Sequence, residues 1–151
     1  MRYDEELLVG YRWYDAKKEK PLFPFGHGLS YTTFAYDGFT VSPRRDAKGE
    51  PEVTAKLKVT NSGTRAGAEV VQLYVGFPAA AGEPPWQLKA FEKVRLEPGQ
   101  SKDVTFRLPP RAFASWDEAG KAWKPHAGAY QIAVGSSSRD IRGTGTVPAA
   151  R

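Results

Sequence analysis

Between residues 53 and 60 apolar and polar side chains alternate without a break, with Val53, Ala55, Leu57 and Val59 on one parity and Thr54, Lys56, Lys58 and Thr60 on the other. A helix would scatter the four apolar residues around its circumference, whereas an extended strand gathers them on one face. The segment is therefore read as a strand with one side buried. Asn61-Ser62-Gly63 supplies the turn chemistry that ends it. Val70-Val71-Gln72-Leu73-Tyr74-Val75 follows as a β-branched and aromatic run rich enough in apolar residues to be a central strand.

The rhythm continues to the C-terminus. Leu88 to Leu96 closes on Glu97-Pro98-Gly99, and Val104, Phe106 and Leu108 alternate before Pro109-Pro110. Tyr130 to Gly135 and Arg139 to Val147 form a last pair around Ser136-Ser137-Ser138. With runs near Phe34 to Ser42 and Phe113 to Trp116, the count is about seven or eight strands with a turn about every ten residues, which predicts an all-β antiparallel sandwich. No helical stretch of about three turns competes with it. A chain of 151 residues with 40% hydrophobic content suffices for one sizeable core, so one domain is expected.

Residues 1–30 break this pattern. Tyr3, Tyr11, Trp13, Tyr14, Phe23 and Phe25 occur there without sustained alternation, as in an irregular arm that lies across another surface. Its end, Pro21-Leu22-Phe23-Pro24-Phe25-Gly26-His27-Gly28-Leu29-Ser30-Tyr31, combines fixed proline angles, permissive glycines and more apolar bulk than a free loop carries. This reads as a docked strap.

Candidate chemistry is sparse. There are 22 Lys+Arg against 17 Asp+Glu, but the basic residues come singly or in pairs with acids nearby, so no nucleic-acid partner is expected. No apolar run is long enough to span a bilayer, so no membrane partner is expected either. With no cysteine, and with His27 and His126 lacking ligands at metal spacing, neither a metal nor another cofactor is expected. His27, between two glycines, is assigned a structural role. Asp15, Asp37, Asp46, Asp103, Asp117 and Asp140 sit mostly in turns or beside cations and are read as solvated rather than as a catalytic pair. Trp116 and Trp123 flank a hairpin turn and are assigned to the core; Trp86, after Pro84-Pro85, is expected to be exposed.

Val9-Gly10-Tyr11-Arg12-Trp13-Tyr14-Asp15 followed by Pro21 to Thr32 resembles the end of the second domain and the linker of glycoside hydrolase family 3 enzymes. Val59 to Gly63, Gly67 to Val75, Leu88 to Val94, Trp116-Asp117, Gly128 to Tyr130 and Val134 to Arg142 resemble, in order, landmarks of that family's C-terminal fibronectin type III-like domain. The resemblance implies an immunoglobulin-like or fibronectin type III-like antiparallel sandwich over 31–151. Residues 1–30 become the arm from the end of a preceding α/β sandwich domain. It further implies a parent β-glucosidase or β-xylosidase whose aspartate nucleophile and glutamate acid/base lie upstream of Met1, leaving no catalytic residue in this chain. Glu6 stands where the family commonly has glycine, and Glu83, Trp86 and Gln87 replace a frequent Arg, Lys and Glu.

The expected role is that of an accessory domain whose partners are the catalytic domains of the parent. Phe23, Phe25, Gly26, His27, Gly28, Leu29 and Tyr31 are the expected interdomain contacts. Two further partners fit the residues: a second copy of the chain that borrows the arm, and polysaccharide stacked on Trp13 and Trp86.

Overall fold

A computed structural model describes residues 4, 6–45 and 51–148. Among the described residues nine strands follow one short α-helix: α1 (Tyr11–Lys17), β1 (Phe34–Arg45), β2 (Pro51–Asn61), β3 (Gly67–Gly76), β4 (Gln87–Leu96), β5 (Ser101–Leu108), β6 (Ala114–Asp117), β7 (Ala122–Pro125), β8 (Ala129–Gly135) and β9 (Ile141–Pro148). They form a three-stranded sheet β1-β2-β5, a four-stranded sheet β4-β3-β8-β9 and a separate hairpin β6-β7. All pairings are antiparallel. The all-β sandwich read from the alternation is the fold observed.

The period-2 pattern explains the packing. Val53, Ala55, Leu57 and Val59 of β2 face inward with Val104, Phe106 and Leu108 of β5, against Val71, Leu73 and Val75 of β3 and Ile132 and Val134 of β8. A side chain of this size taken fully out of water contributes about 1.5–3 kcal/mol, so this interlayer sets most of the fold's stability. Tyr130, at the start of β8, is buried, donates to Phe113 O at 2.7 Å and accepts from the His126 N–H at 2.9 Å. One phenol thus satisfies backbone groups at the corner where the chain enters the sheet.

Two tryptophan assignments need correction. Trp116 and Trp123 are register partners across the β6-β7 hairpin and remain 48% and 46% exposed, so they are not core. The hairpin belongs to neither main sheet, and the two indoles staple it from outside, edge to face with centroids 5.8 Å apart. Arg111 lies over the Trp123 ring at 4.2 Å. Trp86 is the converse case: expected to be exposed, it is half-buried, because Gly76 has no side chain and its backbone receives the indole.

Candidate docking surface

β3 is buried on both faces. Val71, Leu73 and Val75 enter the sandwich, while Gln72 and Tyr74 point out of the sheet and are nevertheless 3% and 0% exposed. Their cover is the arm. α1 spans seven residues between Gly10, with φ 59°, and Lys18, in a left-handed conformation, so the stretch read as irregular contains about two helical turns. Tyr11 of α1 meets Tyr74 edge to face at 6.1 Å, stacks on Phe25 at 4.5 Å, and accepts the Leu88 N–H at 2.8 Å.

The strap then runs along β3. The Ser138 N–H donates to Phe25 O at 2.9 Å, and Gln72 Nε2 donates to Gly26 O at 3.2 Å and to Ser136 O at 2.6 Å. Tyr74 donates to Gln72 Oε1, which completes that amide's bonding. Gly26 has φ 79°, and a Cβ there would lie 2.1 Å from Gln72 Oε1, so glycine is required by both backbone and space. The strap's far end is held by buried Asn61, whose Oδ1 accepts from Thr32 Oγ1 at 2.7 Å and whose Nδ2 donates to Leu96 O at 3.0 Å.

Arg139, in the β8-β9 turn, locks the helix. It pairs with Asp15 Oδ1 at 2.8 Å and donates to Glu19 O at 3.0 Å. Asp15 was read as solvated, yet its side chain is only 8% exposed and its Oδ2 has no partner, because α1 lies flat on the sheet and turns this residue inward. Burial pushes the Asp15 pKa up, and Arg139 opposes that shift without cancelling it. A carboxyl whose folded pKa is raised contributes stability below its unfolded pKa and loses it as the pH rises through the folded pKa. Acid therefore does not loosen this contact. Asp140 is the opposite case: its bonds from Arg142 and Ser136 hold its pKa down, so its contribution is present above the unfolded pKa and lost on acidification.

A mutational contrast follows. Asp15→Asn keeps the shape without the charge and is expected to leave the arm seated. Arg139→Ala strands a buried carboxyl and two carbonyls, costing about 1–3 kcal/mol locally. Trypsin cleavage at Lys17 and Lys18 reads the difference: about tenfold faster in Arg139→Ala, unchanged in Asp15→Asn. Equal cleavage of the two variants would refute it.

With the strap's backbone turned to the sandwich, much of its apolar surface faces solvent. Leu22, Leu29 and Tyr31 are 89%, 94% and 93% exposed, and Phe23 and Phe25 are also exposed. His27 stacks on Phe23 at 5.7 Å and its N–H donates to Pro24 O, so it shapes the loop. Gly28 is exposed. Trp13 is exposed with its edge against Tyr14, whereas Trp86 is half-buried against Gly76, and among the described residues no ring contact joins the two. His126 bonds Ser115 Oγ through Nε2 at 2.7 Å. Of the acids, Asp37 and Asp103 line an open polar groove on the outer face of β1-β2-β5, and Asp117 makes a loose pair with Lys124 at 3.9 Å. Asp46 lies outside the described residues.

The residues that seat the strap, Gln72, Tyr74 and Arg139, were not singled out from sequence. The available signal was the β3 run itself, apolar at both parities, which requires a cover on each face.

A two-layer antiparallel sandwich of this topology, with a tyrosine corner and a strapped outer sheet, defines a fibronectin type III-like domain, and the model of that family matches residues 69–138. The chain is 47% identical over 142 residues to thermostable β-glucosidase B of Acetivibrio thermocellus, covering 93% of this chain and 19% of that protein. It is 43% identical over 146 residues to β-glucosidase BoGH3A of Bacteroides ovatus, covering 95% and 19%. The crystal structure of DesR, a β-glucosidase from Streptomyces venezuelae, superposes with a TM-score of 0.88 at 43% identity, covering 98% of this chain and 19% of that one. The chain thus carries a fibronectin type III-like domain and is similar to a segment of these β-glucosidases, spanning about a fifth of the length of the relatives it matches.

Proposed function

We propose that this chain is a non-catalytic accessory domain that stabilises and orients the catalytic domains of a family 3 glycoside hydrolase acting on terminal β-D-glucosyl residues or, as a β-xylosidase, on xylosyl ones. The observation that carries this reading is the two-sided strap. Its Phe25 and Gly26 carbonyls are bonded by the sandwich, while Leu22, Phe23, Leu29 and Tyr31 remain exposed. A row of large apolar side chains held on a fixed backbone costs solvation unless a partner covers it. Interdomain contacts commonly bury about 600–1,500 Å², a scale such a strap can supply.

The test uses β-glucosidase B of A. thermocellus with its matched segment replaced by this chain. Leu29→Asp in that graft is expected to lower the melting midpoint of the catalytic domains by about 2–4 °C. Turnover of an aryl β-glucoside below the transition should stay within about twofold. An unchanged midpoint with collapsed turnover overturns the reading. A polysaccharide-binding role would rest on the exposed pair Trp116 and Trp123 rather than on Trp13 and Trp86. Retardation of the chain in gels containing soluble glucan or xylan would establish that role in place of docking.

A further inference from the structure

β4 is an edge strand of the four-stranded sheet, and its second half alternates cleanly. Val94 and Leu96 are buried in the sandwich, while Phe91, Lys93 and Arg95 face outward. Phe91 is 67% exposed, the one large apolar side chain of β4 left in water. Register places it opposite Gln72, with Lys93 opposite Val70 and Arg95 opposite Ala68. Gln72 carries the strap through Gly26 O, and the ideal Cβ position of Gly67 lies 2.5 Å from Thr32 Cγ2. The strap therefore meets the outer face of β3 at Gln72, with Phe91 of β4 beside that contact.

We infer that this row is part of one continuous docking face with the strap, that Phe91 is its second apolar anchor, and that its partner is an acidic face of the preceding catalytic domain in the same polypeptide. The inference rests on the reading of the strap as a docking element. Three observations select that occupant. Phe91 is the register partner of Gln72, which bonds Gly26 next to Phe25, so a surface resting on the strap at this point reaches Phe91 as well. Among the described residues no ion pair engages Lys93 or Arg95, and Arg12, Lys17, Lys18 and Lys20 lie on the same arm, so the rim of the face is cationic and is complemented by carboxylates. The chain enters the sandwich through this face, which keeps a domain linked to the arm within reach. Anchors of this kind are effective where an aromatic ring enters a pocket surrounded by groups that exclude water.

The experiment uses the same graft into β-glucosidase B, with Phe91→Ala, with Lys93→Glu combined with Arg95→Glu, and with Leu29→Asp for comparison. All four side chains are exposed, so this chain by itself is expected to melt within about 2 °C of its unsubstituted form in each variant, which separates docking from folding. In the graft, Phe91→Ala and the double charge reversal are each expected to lower the midpoint of the catalytic domains by about 2–4 °C. The effect of the charge reversal should shrink in 1 M NaCl, where charges are screened beyond about 3 Å. If Leu29→Asp lowers the midpoint but neither β4 variant does, the inference is overturned while the strap reading stands. If none of the three lowers it, both are overturned.

Discussion

Gly135→Ala is expected to cost about 3 kcal/mol or more, which lowers the melting midpoint of this chain by roughly 10 °C. Gly135 ends β8, where its pairing with Ile141 of β9 shifts register, and it is buried. A Cβ there would lie 2.0 Å from the carbonyl oxygen of Asp140 and 2.9 Å from its carbonyl carbon. Both are backbone atoms, so relief requires moving the turn itself. That turn holds Ser138, whose N–H bonds the strap, Ser136, whose carbonyl accepts from Gln72, and Arg139, which locks α1. The substitution should therefore loosen the arm as well as the sheet, seen as faster trypsin cleavage before global unfolding. A circular-dichroism melt within about 2 °C of the unsubstituted chain would show that the turn can yield.

The second large effect is expected at Tyr74. If the arm were a casual cover, the outer face of β3 would tolerate truncation. Because Tyr74 is fully buried between the sheet and Tyr11, Tyr74→Ala should cost about 3–5 kcal/mol, as aromatic truncations in cores do. Tyr74→Phe keeps the ring and removes only the bond to Gln72, so about 1 kcal/mol is expected. Urea titration measures both, and equal midpoints for the two variants would contradict the picture of a second, arm-covered core. If the Ala variant frees the arm in the folded state, its m-value should fall slightly, because less surface is then left to expose on unfolding.

Much of this architecture was legible because period-2 patterning is imposed by covalent geometry and one buried face. β2 and β5 could be read almost residue by residue, since a slip of one position would turn Val59 or Phe106 to water. The hairpin β6-β7 was misread because two tryptophans beside a turn signal pairing without revealing whether anything packs on the pair. Asp15 was misread for a related reason: short polar side chains carry no mark of the tertiary contact that buries them. The strap was recognisable from its prolines, glycines and excess apolar bulk. Its seat was not, because Gln72 and Arg139 meet it across separations of 46 and 120 residues or more, distances over which local pattern says nothing.

That separation has a temporal meaning. Arg139 grips the carbonyl of Tyr14 across 125 residues of sequence, so the arm leaves the ribosome long before its seat exists. At about 5–20 residues per second, the strap waits on the order of 6–25 s for the β8-β9 turn. During that interval its aromatic side chains are available to whatever has been made before them. The arm is made before every element it rests on, so its contact with Gln72 can form well before Arg139 closes over α1.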